Sequence, residues 1–165
     1  MRLNLGCGRD IREGYVNVDI VKLPGVDKVF DFNRFPYPFK DNMFEEIYVS
    51  HVLEHMDDVV RVMEEIHRIC KKGAVVKIKV PFFNHHTAFQ DPQHRHFFTL
   101  ASFDYYTDDF KLNFYTKVRY RVIAKKLKAS WLGSVIPFKR YFLNMLAMIF
   151  GELAEEIYVE LEVLK

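Results

Sequence analysis

The chain opens with short apolar runs that alternate with polar residues and are separated by turn-forming clusters. "RLNL" (Arg2–Leu5), "YVNVDI" (Tyr15–Ile20), "VDKVFDF" (Val26–Phe32) and "EEIYVSH" (Glu45–His51) each fit a short strand. The period then changes. Val59, Val62, Met63, Ile66, Ile69 and Cys70 recur three and four apart, which predicts an amphipathic helix over Asp57–Lys72. Two acids open this helix and two lysines close it, in agreement with the helix dipole, and Gly73 is placed as its C-cap. "AVVKIKVP" (Ala74–Pro81) follows as a fifth strand. Strands alternating with a well-formed helix predict an α/β domain with a parallel sheet.

After Pro81 the character changes. A loop runs to about Phe98, and a short helix starts at Thr99. "FYTKVRYRVIAKKLK" alternates with Lys117, Arg119 and Arg121 on one face. The terminal "IYVELEVLK" places Glu160 and Glu162 on one face and Val159, Leu161 and Val163 on the other. Opposite charges in two alternating segments predict an antiparallel pair with those charges facing. Between them "FKRYFLNMLAMIFGELAE" is expected to be a helix. The whole of 1–165 is expected to be one domain, with 81–110 as an insertion on the substrate side of the sheet.

Composition narrows this picture. At 165 residues, half of them apolar, the chain can bury a real core, and sixteen phenylalanines make that core aromatic. A formal charge of only +2 gives no basis for nucleic-acid binding. Cys7 and Cys70 stand in no metal-type spacing and are expected to be reduced thiols of a cytoplasmic protein. No signal segment is expected before Arg2, and the apolar Tyr141–Phe150 stretch falls well short of the roughly 20 residues that span a bilayer. The segment 125–150, with its lysines and tryptophan, has three readings: a helix covering the sheet with snorkelling lysines, a peripheral membrane contact, or a homodimer face.

The candidate chemistry begins at "LGCG". Two glycines one residue apart let the backbone turn sharply beside a ligand. No third glycine, no following helix and no P-loop lysine accompany them, which argues against a pyrophosphate site. Asp19 closes the second strand, where an acid accepts both hydroxyls of a ribose, and Asp31 repeats the placement on the third. In "SHVLEH", His51 and His55 fall four apart beside Glu54, a spacing open to a metal, to acid/base work or to lining a cofactor. "NHHTAFQDPQHRHFF" brings four histidines, Asp91 and Arg95 after the fifth strand. It is either a solvated loop or an acceptor-side loop in which histidine takes a proton and Arg95 holds an anionic group.

Taken together, "LNLGCG…GYVNVDI", "DFNRFPYPFKDNMFEEIYVSHVLEH", "EEIHRICKKGAVVKIKVP", "DPQHRHFFT" and "EEIYVELEVLK" resemble the successive motifs of class I S-adenosylmethionine-dependent methyltransferases. More narrowly, they resemble a compact subfamily in which the helix between the first two strands is nearly deleted. The resemblance implies a doubly wound, Rossmann-like sheet, mostly parallel with an antiparallel last strand. It implies S-adenosyl-L-methionine as cofactor and S-adenosyl-L-homocysteine as product, and it implies no metal. By position, Gly6, Cys7 and Gly8 would pass under the methionine part, and Asn4 stands where many class I enzymes carry an acid for the amino group. Asp19 would bind the ribose with Ile20 beside the adenine, Asp31 and Phe32 would contact the adenine edge, and Ser50 and His51 would lie near the sulfonium. The expected acceptor is an oxygen or nitrogen of a small-molecule or glycan-like compound. His51 or His94 would be the base, and Arg95 would hold an acidic substrate group. Two rivals stand beside this: a non-catalytic cofactor-binding module of the same fold, and a metal-dependent hydrolase built on His85, His86, His94, His96 and Asp91.

Overall fold

A computed structural model describes residues 1–111, 113–134 and 140–165. Its strands are β1 (Arg2–Leu5), β2 (Tyr15–Asp19), β3 (Lys28–Val29), β4 (Phe44–Ser50), β5 (Cys70–Pro81), β6 (Arg119–Ala129) and β7 (Ala154–Leu164). Its helices are α1 (Val59–Ile69), α2 (Thr87–Gln90), α3 (Trp131–Ser134) and α4 (Arg140–Ile149), with 3-10 turns at Leu53–His55 and Ser102–Tyr106. The seven strands form one sheet in the order β3-β2-β1-β4-β5-β7-β6. β7 alone runs antiparallel, inserted between β5 and β6. The α/β class, the mostly parallel sheet and the antiparallel last strand are therefore as the sequence predicts. The strand order reverses between β1 and β4, and such a switch point opens a crevice at the carboxyl ends of the strands.

The expected β6–β7 pairing is present. Arg121 lies opposite Glu162, and its Nε donates to that carboxylate at 2.9 Å. Arg119 turns instead to Asp108, 3.2 Å away.

The helix pattern also holds, with different ends. Val62, Met63, Ile66 and Ile69 are buried, and Tyr120 from β6 donates its hydroxyl to the Met63 carbonyl at 2.7 Å. Asp58 is the N-cap, accepting from the Arg61 amide, and the chain leaves the helix at Cys70. Gly73 is therefore not a C-cap. It sits inside β5 at φ +75°, where the β4–β5 register slips from Phe44↔Cys70 to Glu46↔Val75. A bulge needs a residue that tolerates the left-handed region, and glycine supplies it.

β3 is shorter than the Val26–Phe32 pattern suggests. Asp31 Oδ1 accepts from the Asn33 amide at 2.9 Å, a local turn that draws the chain away from the sheet edge. Phe30, Phe32, Tyr37 and Phe39 then close into an aromatic cluster, with ring centroids 5.0 to 5.8 Å apart between Phe30 and each of the others.

The expected helix over 138–155 is partly outside the described residues. Where it is described, it ends at Ile149, and β7 has begun by Ala154. Ala147 is buried, whereas Met148, Ile149 and Phe150 are exposed, as is Trp131 of α3. No described helix is long and apolar enough to cross a membrane. Cys7 and Cys70 are both free and buried.

Candidate active site

The β1 turn is built around one close approach. Gly6 adopts φ +72°, and a Cβ there would stand 2.2 Å from Val52 Cγ2. Only glycine fits, so the turn lies directly against the segment leaving β4. The Gly6 and Cys7 amides both donate to the Val18 carbonyl at 2.9 Å. Asp19, at the end of β2, accepts from the Gly8 amide at 2.7 Å and from the Val21 amide at 3.1 Å. A carboxylate has about four lone-pair positions, so each Asp19 oxygen keeps acceptor capacity for a further donor.

The nine residues from Gly6 to Gly14 replace a crossover helix, and a buried amide network holds them. Asn4 and Asn17 lie side by side in register on β1 and β2. Asn4 Nδ2 donates to Asn17 Oδ1 at 3.0 Å and to the Asp10 carbonyl at 2.7 Å. Asn17 takes the Arg12 amide at 2.9 Å and returns a bond to the Arg12 carbonyl at 3.1 Å. Both Nδ2 hydrogens of Asn4 are thus used in holding the short crossover. The Cys7 thiol has its pKa raised by burial and by the nearby Asp19 charge.

The other expected cofactor residues are distributed as follows. Ile20 is exposed beside Asp19. Asp31 lies at the rim, 3.4 Å from Arg34. Phe32 is buried in the aromatic cluster, 3.6 Å from where a Gly6 Cβ would be. Ser50 ends β4 opposite Lys79 of β5.

His51 follows at φ +54°, a conformation that costs about 1–2 kcal/mol for a residue with a Cβ. Its surroundings fix it there. The His51 amide donates to the Lys79 carbonyl at 2.9 Å. The ring donates from Nδ1 to Glu54 at 3.2 Å and from Nε2 to Glu156 of β7 at 3.0 Å. Two carboxylates on two ring nitrogens require both to carry hydrogens, and these bonds, that to Glu156 foremost, raise the His51 pKa to about 9. Glu156 is drawn the other way: burial opposes its charge, but His51 and Lys79 bring its pKa below the usual carboxylate value. Glu156, a residue 105 positions away from His51, carries no local motif and was not among the candidates.

The histidine loop divides into two groups. Arg95 and His96 donate their amides to the Glu54 carbonyl at 2.7 and 3.3 Å, which docks the loop's second half on the turn that follows β4. His94 donates Nδ1–H to the Ala88 carbonyl at 2.9 Å, so its Nε2 retains a free lone pair. Its ring stands edge-on to His55, 4.7 Å between centroids. Arg95 is ion-paired with Asp57, both side chains more than half exposed. His85 and His86 turn away to Glu152, at 3.3 and 2.6 Å. His94 and His96 thus do not join His85 and His86 around one centre. Phe89 and Phe97 stack 4.7 Å apart beside His94 in sequence, both exposed. A separate cleft of about 670 Å³ is lined by Asp104, Asp108, Phe110 and Arg121, at the start of β6, and shares no lining residue with this chemistry.

Residues 7–78 match the family model described as a methyltransferase domain. A comparison with curated proteins gave no match. Among solved structures, the chain is similar to a SAM-dependent methyltransferase from Archaeoglobus fulgidus at 15% identity and a TM-score of 0.71, over 98% of this chain and 85% of that one. A second similar structure, from Methanosarcina mazei and also named as a SAM-dependent methyltransferase, has 17% identity and a TM-score of 0.62, over 99% and 92% of the two chains. A third comes from the Haloferax volcanii complex of the Trm112 methyltransferase activator with a methyltransferase, at 15% identity and a TM-score of 0.61, over 99% and 82%. The fold likeness spans nearly the whole chain, and the family match covers residues 7–78. Both agree with the class I resemblance of the sequence motifs.

Proposed function

We propose that this methyltransferase domain binds S-adenosyl-L-methionine at the β1/β4 switch point and transfers its methyl group to an oxygen or nitrogen of a small-molecule or glycan-like acceptor. The observation that carries the proposal is the joined pair formed by the glycine turn and Asp19. The Gly8 amide holds the carboxylate 2.7 Å away, and a side-chain-free turn lies directly against Val52. A methionyl tail carries no phosphate, so it needs a bare turn and an acid, not a helix N-terminus. The short crossover suits that cofactor and disfavours a dinucleotide.

The cofactor supplies the electrophile, and the protein contributes position and the acceptor's proton path. Gly6, Cys7 and Gly8 would pass the methionyl chain, Asp19 the ribose hydroxyls, and Ile20 and Asp31 the adenine rim. Ser50 at the end of β4 and the His51 imidazolium just after it would lie near the reacting centre. His51 offers no lone pair, because both ring nitrogens donate to carboxylates. His94 is the group on the acceptor side with a free Nε2. Arg95 would exchange its exposed Asp57 partner for an acidic group of the acceptor. The exposed Phe89–Phe97 stack suits the flat face of a sugar or aromatic ring, which favours a glycan-like acceptor. A dimer face or a lipid contact over 125–150 would use the exposed Trp131, Met148, Ile149 and Phe150.

The test is formation of S-adenosyl-L-homocysteine over a panel of hydroxyl- and amine-bearing small molecules and oligosaccharides. Turnover is expected with at least one class and a steep loss in Asp19→Ala. Cofactor binding with no turnover on any acceptor would favour the non-catalytic module instead.

A further inference from the structure

We propose that Glu54, His55 and His94 form a binding site for a divalent transition-metal ion of the zinc type, with one coordination position left open. Each of the three residues offers one ligand atom within 4.8 Å of the other two. The set, two imidazoles and one carboxylate, is the mixed nitrogen–oxygen donor set that zinc accepts, whereas magnesium and calcium prefer oxygen alone.

Three further observations distinguish this cluster from a chance grouping. Glu54 is fully buried, and its Oε2 has no hydrogen-bond partner. A buried carboxylate oxygen ordinarily finds a donor, and a cation beside His55 and His94 would satisfy it. The other oxygen, Oε1, is held by His51 Nδ1. His94 is oriented as metal-bound histidines are: its Nδ1–H is given to the Ala88 carbonyl, which fixes the tautomer and directs a lone pair from Nε2. The two segments that carry the donors are fastened together, since the Arg95 and His96 amides bond the Glu54 carbonyl and His96 Nε2 donates to the Met56 carbonyl at 2.9 Å.

A second grouping, His85, His86 and Glu152, lacks these properties. Both Glu152 oxygens are already engaged by His86, through its amide and ring, and the carboxylate is half exposed. That grouping, with His86 exposed and only His85 buried, is a satisfied network and serves as a control.

Glu54 and His55 follow β4, and His94 comes from the loop after β5 on the acceptor side, so the open position would take water or an acceptor oxygen. That last point rests on the methyltransferase proposal; metal binding itself does not. With the ion bound, the His94 lone pair is committed to coordination, and an acceptor hydroxyl meets the ion rather than a free imidazole.

The experiment is to strip the purified full chain with chelator and titrate it with Co²⁺, following the visible d–d bands, and with Zn²⁺ by calorimetry. One equivalent is expected to bind, with the intense bands of a four-coordinate site. His55→Ala and His94→Ala should each weaken binding by more than about tenfold, the least a ligand should contribute when outer-shell partners alone are worth that much, and His86→Ala should leave it unchanged. Circular dichroism verifies folding, and either of the two ligand variants suffices if the other is unfolded. No saturable uptake by the folded wild type would overturn the proposal. So would undiminished affinity in the ligand variants, or loss on His86→Ala alone. S-adenosyl-L-methionine calorimetry on the stripped protein separates failure of this site from failure of the cofactor assignment.

Discussion

The two connections that leave the switch-point strands are made of opposite materials. From β4 to β5 the chain crosses through α1, which buries Val62, Met63, Ile66 and Ile69. From β1 to β2 it crosses in a few residues without a helix, and two buried asparagines take over the task of an apolar face. The first connection is stabilised by area removed from water, the second by matching donors to acceptors. The contrast shows how this sheet holds the β1 turn in place without a helix across the first crossover. It also leaves that turn dependent on a small number of directional bonds.

The comparison is broken most severely on the apolar side. Ile66→Ala should destabilise the protein by about 2–5 kcal/mol in denaturant melts, with the loss spread over the whole sheet. Gly6→Ala, where the two connections touch, comes next. Overpacking against Val52 should cost about 1–3 kcal/mol, in addition to the left-handed backbone. Val52→Ala in the same chain should restore part of it, and a double-mutant cycle without coupling would remove the proposed contact from the account.

On the polar side, Asn17→Ala leaves the Asn4 amide and the Arg12 N–H without their partner. A loss of about 1–3 kcal/mol is expected, with faster amide exchange confined to residues 8–14. Exchange spreading equally into α1 would contradict the separation of the two connections.

The smallest effect concerns pH. His67 of α1 donates to the Leu164 carbonyl at 2.7 Å, and burial lowers its pKa below the ordinary 6.5. The unfolded chain therefore takes up the proton first as pH falls. Stability from this group is full above about pH 6.5 and declines below it, levelling off under the folded-state value. Melts of wild type and His67→Gln between pH 7.5 and 5 should show the decline reduced in the variant.

What the sequence made legible follows the same division. The α1 and β7 patterns are long and apolar, so their periods of 3.6 and 2 identified them to within a few residues. Gly73 misled because a glycine after two lysines suits a helix end and a β-bulge equally well. Only the β4–β5 register separates the two. The end of β3 was lost to the Asp31 turn, a local hydrogen bond that alternation does not encode. The Asn4–Asn17 network left a readable trace, a polar residue at the centre of both "RLNL" and "YVNVD", and the paired register of β1 and β2 gives that trace its meaning. The His51 clamp left none, because Glu156 arrives from the far end of the chain.

The central claim is that the abbreviated turn and Asp19 hold S-adenosyl-L-methionine. Isothermal titration of the full chain with S-adenosyl-L-methionine and S-adenosyl-L-homocysteine, repeated on Asp19→Ala, tests it directly. Saturable binding by the wild type is expected, weakened about ten- to a hundredfold in the variant, as loss of charge-assisted hydrogen bonds to the ribose requires. A folded wild type that binds neither compound, or an Asp19→Ala protein that binds both as tightly as the wild type, would contradict the account.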